Sequence, residues 1–428
     1  MSENIILGAG IAGLGAAYAS GFQYPIYEST GHAGGLCSGF EIQGFQFDRA
    51  VHLSFTESDI VRGVFDITPH YCYHPYPRSW YYDRWIKHPV QNNLNALPVE
   101  KRVSAIEGFV KRPHNIEPAN FKDWNISRYG RFISEEFVFP YNSKYWCESL
   151  EKIGVSWIGN RLYQPSLAEV LTGSYIEDTE NTYYAKEMRY PIHGGFEAFL
   201  SETIQNSKLI YRKHVSQIDG KSKTVYFSDG TKIYYQTAFS SIPLVEMSGI
   251  LKDAPIEVRQ ASQMLNYTGV VLVSVGLRGE KVLDDIWFYI YDKDIWAARV
   301  YSPSNKSPNN APQGYSSLQF EIYFNGRTPP PAKEECIQNI KYALKRLAEH
   351  GAICIDIDRD IVFMDCRVQN YGNIIMYPNN EAKSQTIKDY LKSIDVIPIG
   401  RFGEWKYFWS DQAFLSGYNN VKMRENNL

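Results

Sequence analysis

At 428 residues the chain is too long for one simple core, so two or three domains are expected. Its 44 Lys and Arg against 47 Asp and Glu leave a formal net charge of -3, with no basic excess of the kind that binds nucleic acid. The six cysteines, at 37, 72, 147, 336, 354 and 366, contain no CxxC pair and no zinc spacing, and no apolar run is long enough to span a bilayer. Reduced thiols, no metal and a cytoplasmic location are the expectation, and assembly into a homo-oligomer stays open.

The chain opens on Ile5-Ile6-Leu7, a strand that runs into Gly8-Ala9-Gly10-Ile11-Ala12-Gly13, an apolar helical pattern, and a second strand, Tyr24 to Tyr27, ending in Glu28. Gly8 permits the tight turn, Gly10 lets a pyrophosphate approach the helix N-terminus, and Gly13 lets helix and strand pack closely. Glu28, twenty residues after Gly8, is placed to accept from a ribose hydroxyl. A bare glycine string is weak evidence, but here strand, turn, helix and acid fall in register. The Gly34-Gly35-Leu36-Cys37 segment that follows resembles the second half of the FAD fingerprint in amine-oxidase-like flavoproteins.

From about 56 to 189 the pattern is mainly helical, with a helix start at Ser58-Asp59 and further helices near 98–111 and 119–138. Strands return at Leu209 to Tyr211, Val215 to Ile218 and Thr224 to Thr231, and again from Thr237 to a proline stop at Pro243. Residues 263–364 read as an antiparallel sheet around Val270 to Val275 and Ser317 to Tyr323, and 333–350 have helical periodicity with Gly351 as a stop. The C-terminal string Gly400-Arg401-Phe402-Gly403-Glu404-Trp405-Lys406-Tyr407 precedes a helix beginning near Asp411-Gln412. This predicts an α/β protein with a discontinuous Rossmann-type FAD-binding domain (1–55, 190–262 and 365–428), an inserted helical domain (56–189) and a strand-rich substrate domain (263–364).

Taken in order, Phe47-Asp48 with His52, Pro89-Val90-Gln91-Asn92-Asn93, Pro140-Tyr141-Asn142-Ser143-Lys144-Tyr145-Trp146 and Trp157-Ile158-Gly159-Asn160-Arg161 resemble the UDP-galactopyranose mutases. Trp287-Phe288-Tyr289, Arg299, Tyr377-Pro378 and the segment from Gly400 continue the likeness over nearly the whole chain. It implies that Arg161 and Arg299 grip a diphosphate with charge-assisted bidentate bonds. It also implies phosphate contacts from Tyr289, Tyr377 and Tyr407, and a uracil site at Asn142 and Trp146. Gln91 and His88 are expected near the sugar, with His88 standing where the family has a tyrosine. His52 would lie beside flavin N5, preceded by Ala50-Val51 in place of the usual glycine pair. Val215, Gly400, Arg401, Asp411 and Gln412 would join Gly8, Gly10, Gly13, Glu28, Gly34, Gly35 and Leu36 around FAD.

The resemblance further implies an isomerase in which reduced FAD supplies N5 as nucleophile to the anomeric carbon of a nucleotide sugar, with NAD(P)H as the reductant. Polysaccharide assembly is the implied setting, and the sugar is left open because Ala185 replaces an asparagine. Two other readings share the FAD motifs. One is a flavin oxidase of the amine or porphyrinogen type, and the other is a catalytically silent FAD-binding relative.

Overall fold

The computed structural model describes residues 3–113, 116–159, 161–182 and 185–426. The first strand, Glu3–Leu7, carries Ile5, Ile6 and Leu7 at 0% exposure, as a strand covered on both faces requires. It lies parallel to Ile26–Tyr27 on one side and to the second half of Lys232–Ser240 on the other. Leu209–Ile210 extends this sheet beyond Ile26–Tyr27, and Val396–Pro398 pairs with Lys232–Ser240. An antiparallel meander, Val215–Asp219, Thr224–Phe227 and Lys232–Ser240, completes the seven strands.

The last helix, Ser410–Asn426, packs on the first, Ile11–Ala19, with almost no space between their backbones. A Cβ on Gly417 would lie 1.9 Å from the Ala12 carbonyl oxygen, and one on Gly15 would lie 2.2 Å from that of Phe414. Two glycines on facing helices therefore fix the C-terminal helix over the glycine turn. The last secondary-structure element of the chain is held beside one of its first.

The second sheet has seven strands, in the order 361–375, 266–278, 315–325, 299–301, 287–290, 78–80 and 85–87. Its long strands pair antiparallel, Asn266–Arg278 lying between Tyr315–Asn325 and Ile361–Ile375. Helix Lys333–Glu349 covers one face through Cys336, Ile340, Ala343, Leu344 and Leu347.

The structure corrects two parts of the domain reading. Strands His70–Tyr73, Arg78–Trp80 and Trp85–Lys87 lie inside the stretch read as helical, and the latter two form an edge of the second sheet. Three or four residues are too short for alternation to register. The boundary at 365 falls inside strand Ile361–Ile375, so the second sheet runs eleven residues further than expected. The insertion is otherwise mainly helical, as expected, with Val99–Val110, Phe121–Tyr129, Phe139–Trp146 and Leu167–Tyr175 packed around Phe109, Trp124, Phe137 and Trp146.

Candidate functional site

One cavity of about 960 Å³ runs from the glycine turn to the junction of the helical insertion and the second sheet. At its first end Gly8 has φ +97°, a conformation open to glycine, and a Cβ on Gly13 would collide with the Gly8 carbonyl at 1.9 Å. Gly10 is different. Its φ of -69° suits any residue, and a Cβ there would meet no protein atom within 4 Å because it would project into the cavity. Packing does not require that glycine, whereas a ligand lying against the backbone does. Leu14 N–H makes the first helical bond, to Gly10 O at 3.0 Å, so the preceding amides face the same space.

Glu28 lines this end and is nearly buried. Its Oε2 accepts the Ala9 amide at 2.7 Å, and its Oε1 accepts the Thr30 amide and hydroxyl at 2.8 Å each and the Ser29 hydroxyl at 3.1 Å, which locks the turn while leaving a lone pair on Oε2 for a ribose. Gly34 N–H donates to Ala9 O at 2.8 Å, bringing Gly35 and Leu36 to the cavity wall. Val215, Gly400 and Arg401 also line it. Arg401 donates to the Phe408 and Gly372 carbonyls, so it braces the C-terminal loop. Gly13 and Gly34 stand behind the wall, and Asp411 and Gln412 are flanked by the lining residues Ser410 and Ala413. Gln412 caps its own helix by accepting Trp409 N–H at 2.9 Å.

His52 lines the middle of the cavity, its Nδ1 3.1 Å from Ala50 O and its ring 5.1 Å from that of Phe196. Burial, helped by the Lys306 and Arg401 cations and opposed by Asp48, pushes the imidazole down to about 4, so it is neutral at neutral pH. Ala50 has φ +82°, and the alanine therefore occupies a left-handed conformation suited to the glycine it replaces. Behind the loop Asp48 and Lys306 form a fully buried ion pair, and the Asp48 carboxylate also accepts from Tyr190 OH at 2.8 Å and Phe196 N–H at 2.9 Å.

At the far end the cavity is walled by helix Phe139–Trp146 and by strands Trp287–Ile290 and Arg299–Tyr301. Asn142 Oδ1 accepts Trp146 Nε1–H at 3.1 Å, one helical turn apart, so these two predicted residues share one face. Arg161 comes from the insertion and stacks over Trp409 at 4.0 Å and Tyr407 at 4.8 Å. Arg299 comes from the sheet and is held by the buried Glu321, with Nε at 2.8 Å and Nη2 at 2.6 Å. Burial works against the charge, but Glu321 holds the guanidinium above its ordinary pKa. Arg161, Arg299, Tyr289 and Tyr407 all face the cavity, and Tyr407 OH lies 2.8 Å from Tyr145 OH.

Three predicted substrate residues are not brought to the cavity wall. Tyr377 OH donates to Glu148 at 2.6 Å and accepts from Asn266 at 3.0 Å, a bond pair that turns it into the junction between insertion and sheet. Gln91 is buried and donates to Tyr163 O at 3.2 Å. His88 packs behind Tyr289, ring centroids 4.6 Å apart, and supports it from outside. Ala185 is buried in the core, and Asn160 lies outside the described residues. Missed by the sequence reading are the site roles of Tyr145 and Glu321. Tyr145 is one turn from Tyr141 on the motif helix, and Glu321 is an acid inside the apolar run Leu318 to Tyr323, each a usable signal.

Among the described residues no group of three or more His, Cys, Asp or Glu is arranged to hold a metal ion, and no helix is long and apolar enough to cross a membrane.

Residues 6–68 match the NAD(P)-binding Rossmann-like domain family, the stretch that holds the glycine turn, Glu28 and His52. The complete fold resembles that of reduced UDP-galactopyranose mutase, with a TM-score of 0.90, 22% identity, and coverage of 100% of this chain and 94% of that one. A candidate protoporphyrinogen oxidase from Exiguobacterium sp. 255-15 gives 0.73 at 13% identity over 100% of this chain and 99% of that one. A redesigned putrescine oxidase gives 0.66 at 12% identity over 99% of each chain. The shared property is the fold, a Rossmann-like nucleotide-binding domain joined to a sheet-rich second domain. Within that class the chain has the flavoprotein fold of UDP-galactopyranose mutase.

Proposed function

We propose that the protein is an FAD-dependent mutase that interconverts pyranose and furanose forms of a nucleotide-diphosphate sugar. The observation that carries this reading is the meeting of Arg161 and Arg299, from the insertion and the sheet, in the same cavity that begins at the Gly10 turn. An oxidase of an uncharged or cationic substrate gains nothing from two guanidiniums facing one cleft. A diphosphate gains charge-assisted bonds from both.

Gly10, Glu28, Gly35 and Arg401 would hold the cofactor, which in its reduced form supplies the nucleophile that displaces the nucleoside diphosphate. The chain's own residues do the remaining work. Arg161 and Arg299 hold the departing diphosphate in place, so that it is ready to re-form its bond to the sugar. Asn142 and Trp146 present an amide and a ring face to the base, and Tyr289 and Tyr407 offer hydroxyls to phosphate oxygens. His52, neutral and buried, keeps the middle of the cavity free of an extra positive charge.

The test is anaerobic incubation of the FAD-loaded protein with dithionite and a panel of UDP-, GDP- and dTDP-sugars, followed by chromatography. Pyranose-to-furanose conversion that requires reduced flavin is the expected result. Absence of conversion, together with reduction of the flavin by an amine and its reoxidation by oxygen, would replace the mutase with an oxidase. Nucleotide-sugar binding without conversion would indicate a catalytically silent relative.

A further inference from the structure

We infer that Lys144 is a positioning residue that clamps the helical wall of the cleft to its sheet wall through backbone carbonyls of residues 290–297, an inference that rests on the nucleotide-sugar reading of that cleft. Lys144 sits on helix Phe139–Trp146, whose Tyr141, Asn142, Tyr145 and Trp146 all line the cavity. Its own side chain points away from the cavity. Nζ lies 2.6 Å from Ile290 O, 3.1 Å from Asp292 O, 3.2 Å from Ile295 O and 3.0 Å from Ala297 O.

The first of these oxygens ends strand Trp287–Ile290, and the other three belong to the loop that joins it to strand Arg299–Tyr301. Tyr289 and Arg299 are direct partners in the ladder of those two strands, and the loop closes the hairpin that presents both. On its other side it is fastened to helix Lys333–Glu349: Asn339 accepts Trp296 N–H at 2.8 Å and donates to Asp294 O at 2.9 Å, and Arg346 pairs with Asp294 at 2.7 Å. Lys144 supplies the matching bonds from the helical insertion. One ammonium thus ties the helix of Asn142 and Trp146 to the hairpin whose strands carry Tyr289 and Arg299.

No carboxylate of the described residues lies within ion-pair distance of Nζ. Asp292 and Asp294 face it from the loop at longer range, but Asp292 accepts Tyr82 N–H at 2.7 Å and lies 3.5 Å from Arg346. Beyond Arg346 stand Asp83, at 3.0 Å, and His350, which is 3.3 Å from Asp83. The carbonyls alone satisfy the ammonium directly, and its three N–H groups are all needed. Burial brings the group down to about 7 against the opposing pull of Asp292 and Asp294. Proton loss removes one donor and turns a lone pair toward carbonyl oxygens, so the clamp is at full strength below about 7 and loosens above it.

A nucleotide sugar keeps a constant diphosphate charge through this range, because both phosphates are esterified. Of the groups near the cleft, His52 and His88 are held at about 4, and burial raises Tyr141, Tyr145 and Tyr323 above their ordinary range. Their titration lies outside the window, and His214, on the cavity wall beside Glu28, is retained in every variant, so a flat Lys144→Arg profile separates its contribution from that of Lys144.

The experiment measures UDP-galactose affinity of the FAD-loaded wild type, Lys144→Met and Lys144→Arg between about pH 6 and about pH 9 at constant ionic strength, with flavin absorbance recorded for each. The wild type is expected to weaken about tenfold across the range, the arginine variant to have a flat profile, and the methionine variant to be about tenfold weaker at low pH and equally flat. A methionine variant with wild-type affinity and wild-type pH profile overturns the clamp. Should that variant not retain flavin, the wild type decides alone: an affinity constant from low to high pH overturns it. A wild type that binds no nucleotide sugar at any pH instead overturns the nucleotide-sugar reading, and is distinguishable for that reason.

Discussion

Replacing Glu321 by Gln removes a negative charge from a site where each partner is a donor: Arg299 Nε at 2.8 Å, Arg299 Nη2 at 2.6 Å, Tyr323 OH at 2.8 Å and Val51 N–H at 2.9 Å. An amide accepts through one atom only. Either the Val51 amide or the guanidinium then faces an NH₂ group, and Arg299 loses its counter-charge inside the protein. Breaking a buried pair on one side costs about 3–5 kcal/mol. At about 2.1 cal/mol/K per residue, a 428-residue chain melting as one unit has an unfolding entropy of about 0.9 kcal/mol/K. The expected loss is therefore about 3–6 °C in Tm, read by calorimetry on the FAD-loaded protein. Glu107→Gln is the control, since its pair with Lys111 is exposed and spans a single helical turn, and no measurable shift is expected. A Glu321→Gln protein melting within about 1 °C of wild type would refute the account of Glu321 as the anchor of Arg299.

Gly10→Val and Gly400→Ala separate ligand space from packing. The first should abolish flavin retention while leaving the Tm of the flavin-free protein unchanged, whereas the second should lower that Tm as well, because Gly400 has φ +78° and its Cβ would lie 2.6 Å from Ala12 Cβ. Arg161→Ala and Arg299→Ala should each weaken UDP-galactose binding about 10- to 100-fold with flavin content unchanged, measured by calorimetric titration; unaltered affinity in either variant removes that arginine from the diphosphate site. His52 has a lowered pKa in the folded chain, so its share of stability is complete above about 6.5 and is lost as pH falls toward 4. Melting curves of wild type and His52→Gln should therefore diverge on acidification, with the wild type losing more, and parallel curves would contradict a neutral buried histidine.

The nucleotide-binding end of the fold was legible because its constraints are local. Gly8, Gly10, Gly13 and Glu28 act within one strand-turn-helix-strand unit, so their spacing alone carries the geometry. The edge strands Arg78–Trp80 and Trp85–Lys87 were not legible, since each is three residues long: the first becomes part of the sheet by pairing with Trp287–Ile290, about 200 positions away, and the second pairs only with the first. The same holds for the split at 365, where Ile361–Ile375 is one continuous strand whose register is set by Asn266–Arg278.

At the far end of the cavity, motif residues can lie close to it without lining it. Tyr377, Gln91 and His88 lie in segments that reach the cleft region, but each spends its polar or aromatic group on a protein neighbour: Glu148 and Asn266, Tyr163, and Tyr289. Sequence gives the residue type, whereas orientation follows from partners contributed by other elements. Arg299 is the converse case. It faces the cavity because Glu321, its direct cross-strand neighbour, takes one edge of the guanidinium. The other Glu321 oxygen holds the Val51 amide beside His52 at 2.9 Å, so one carboxylate fixes both Arg299 and the loop at the middle of the cavity. That link explains how Ala50 can be held at φ +82° without glycine, because its neighbour is tethered and the loop is not free to relax.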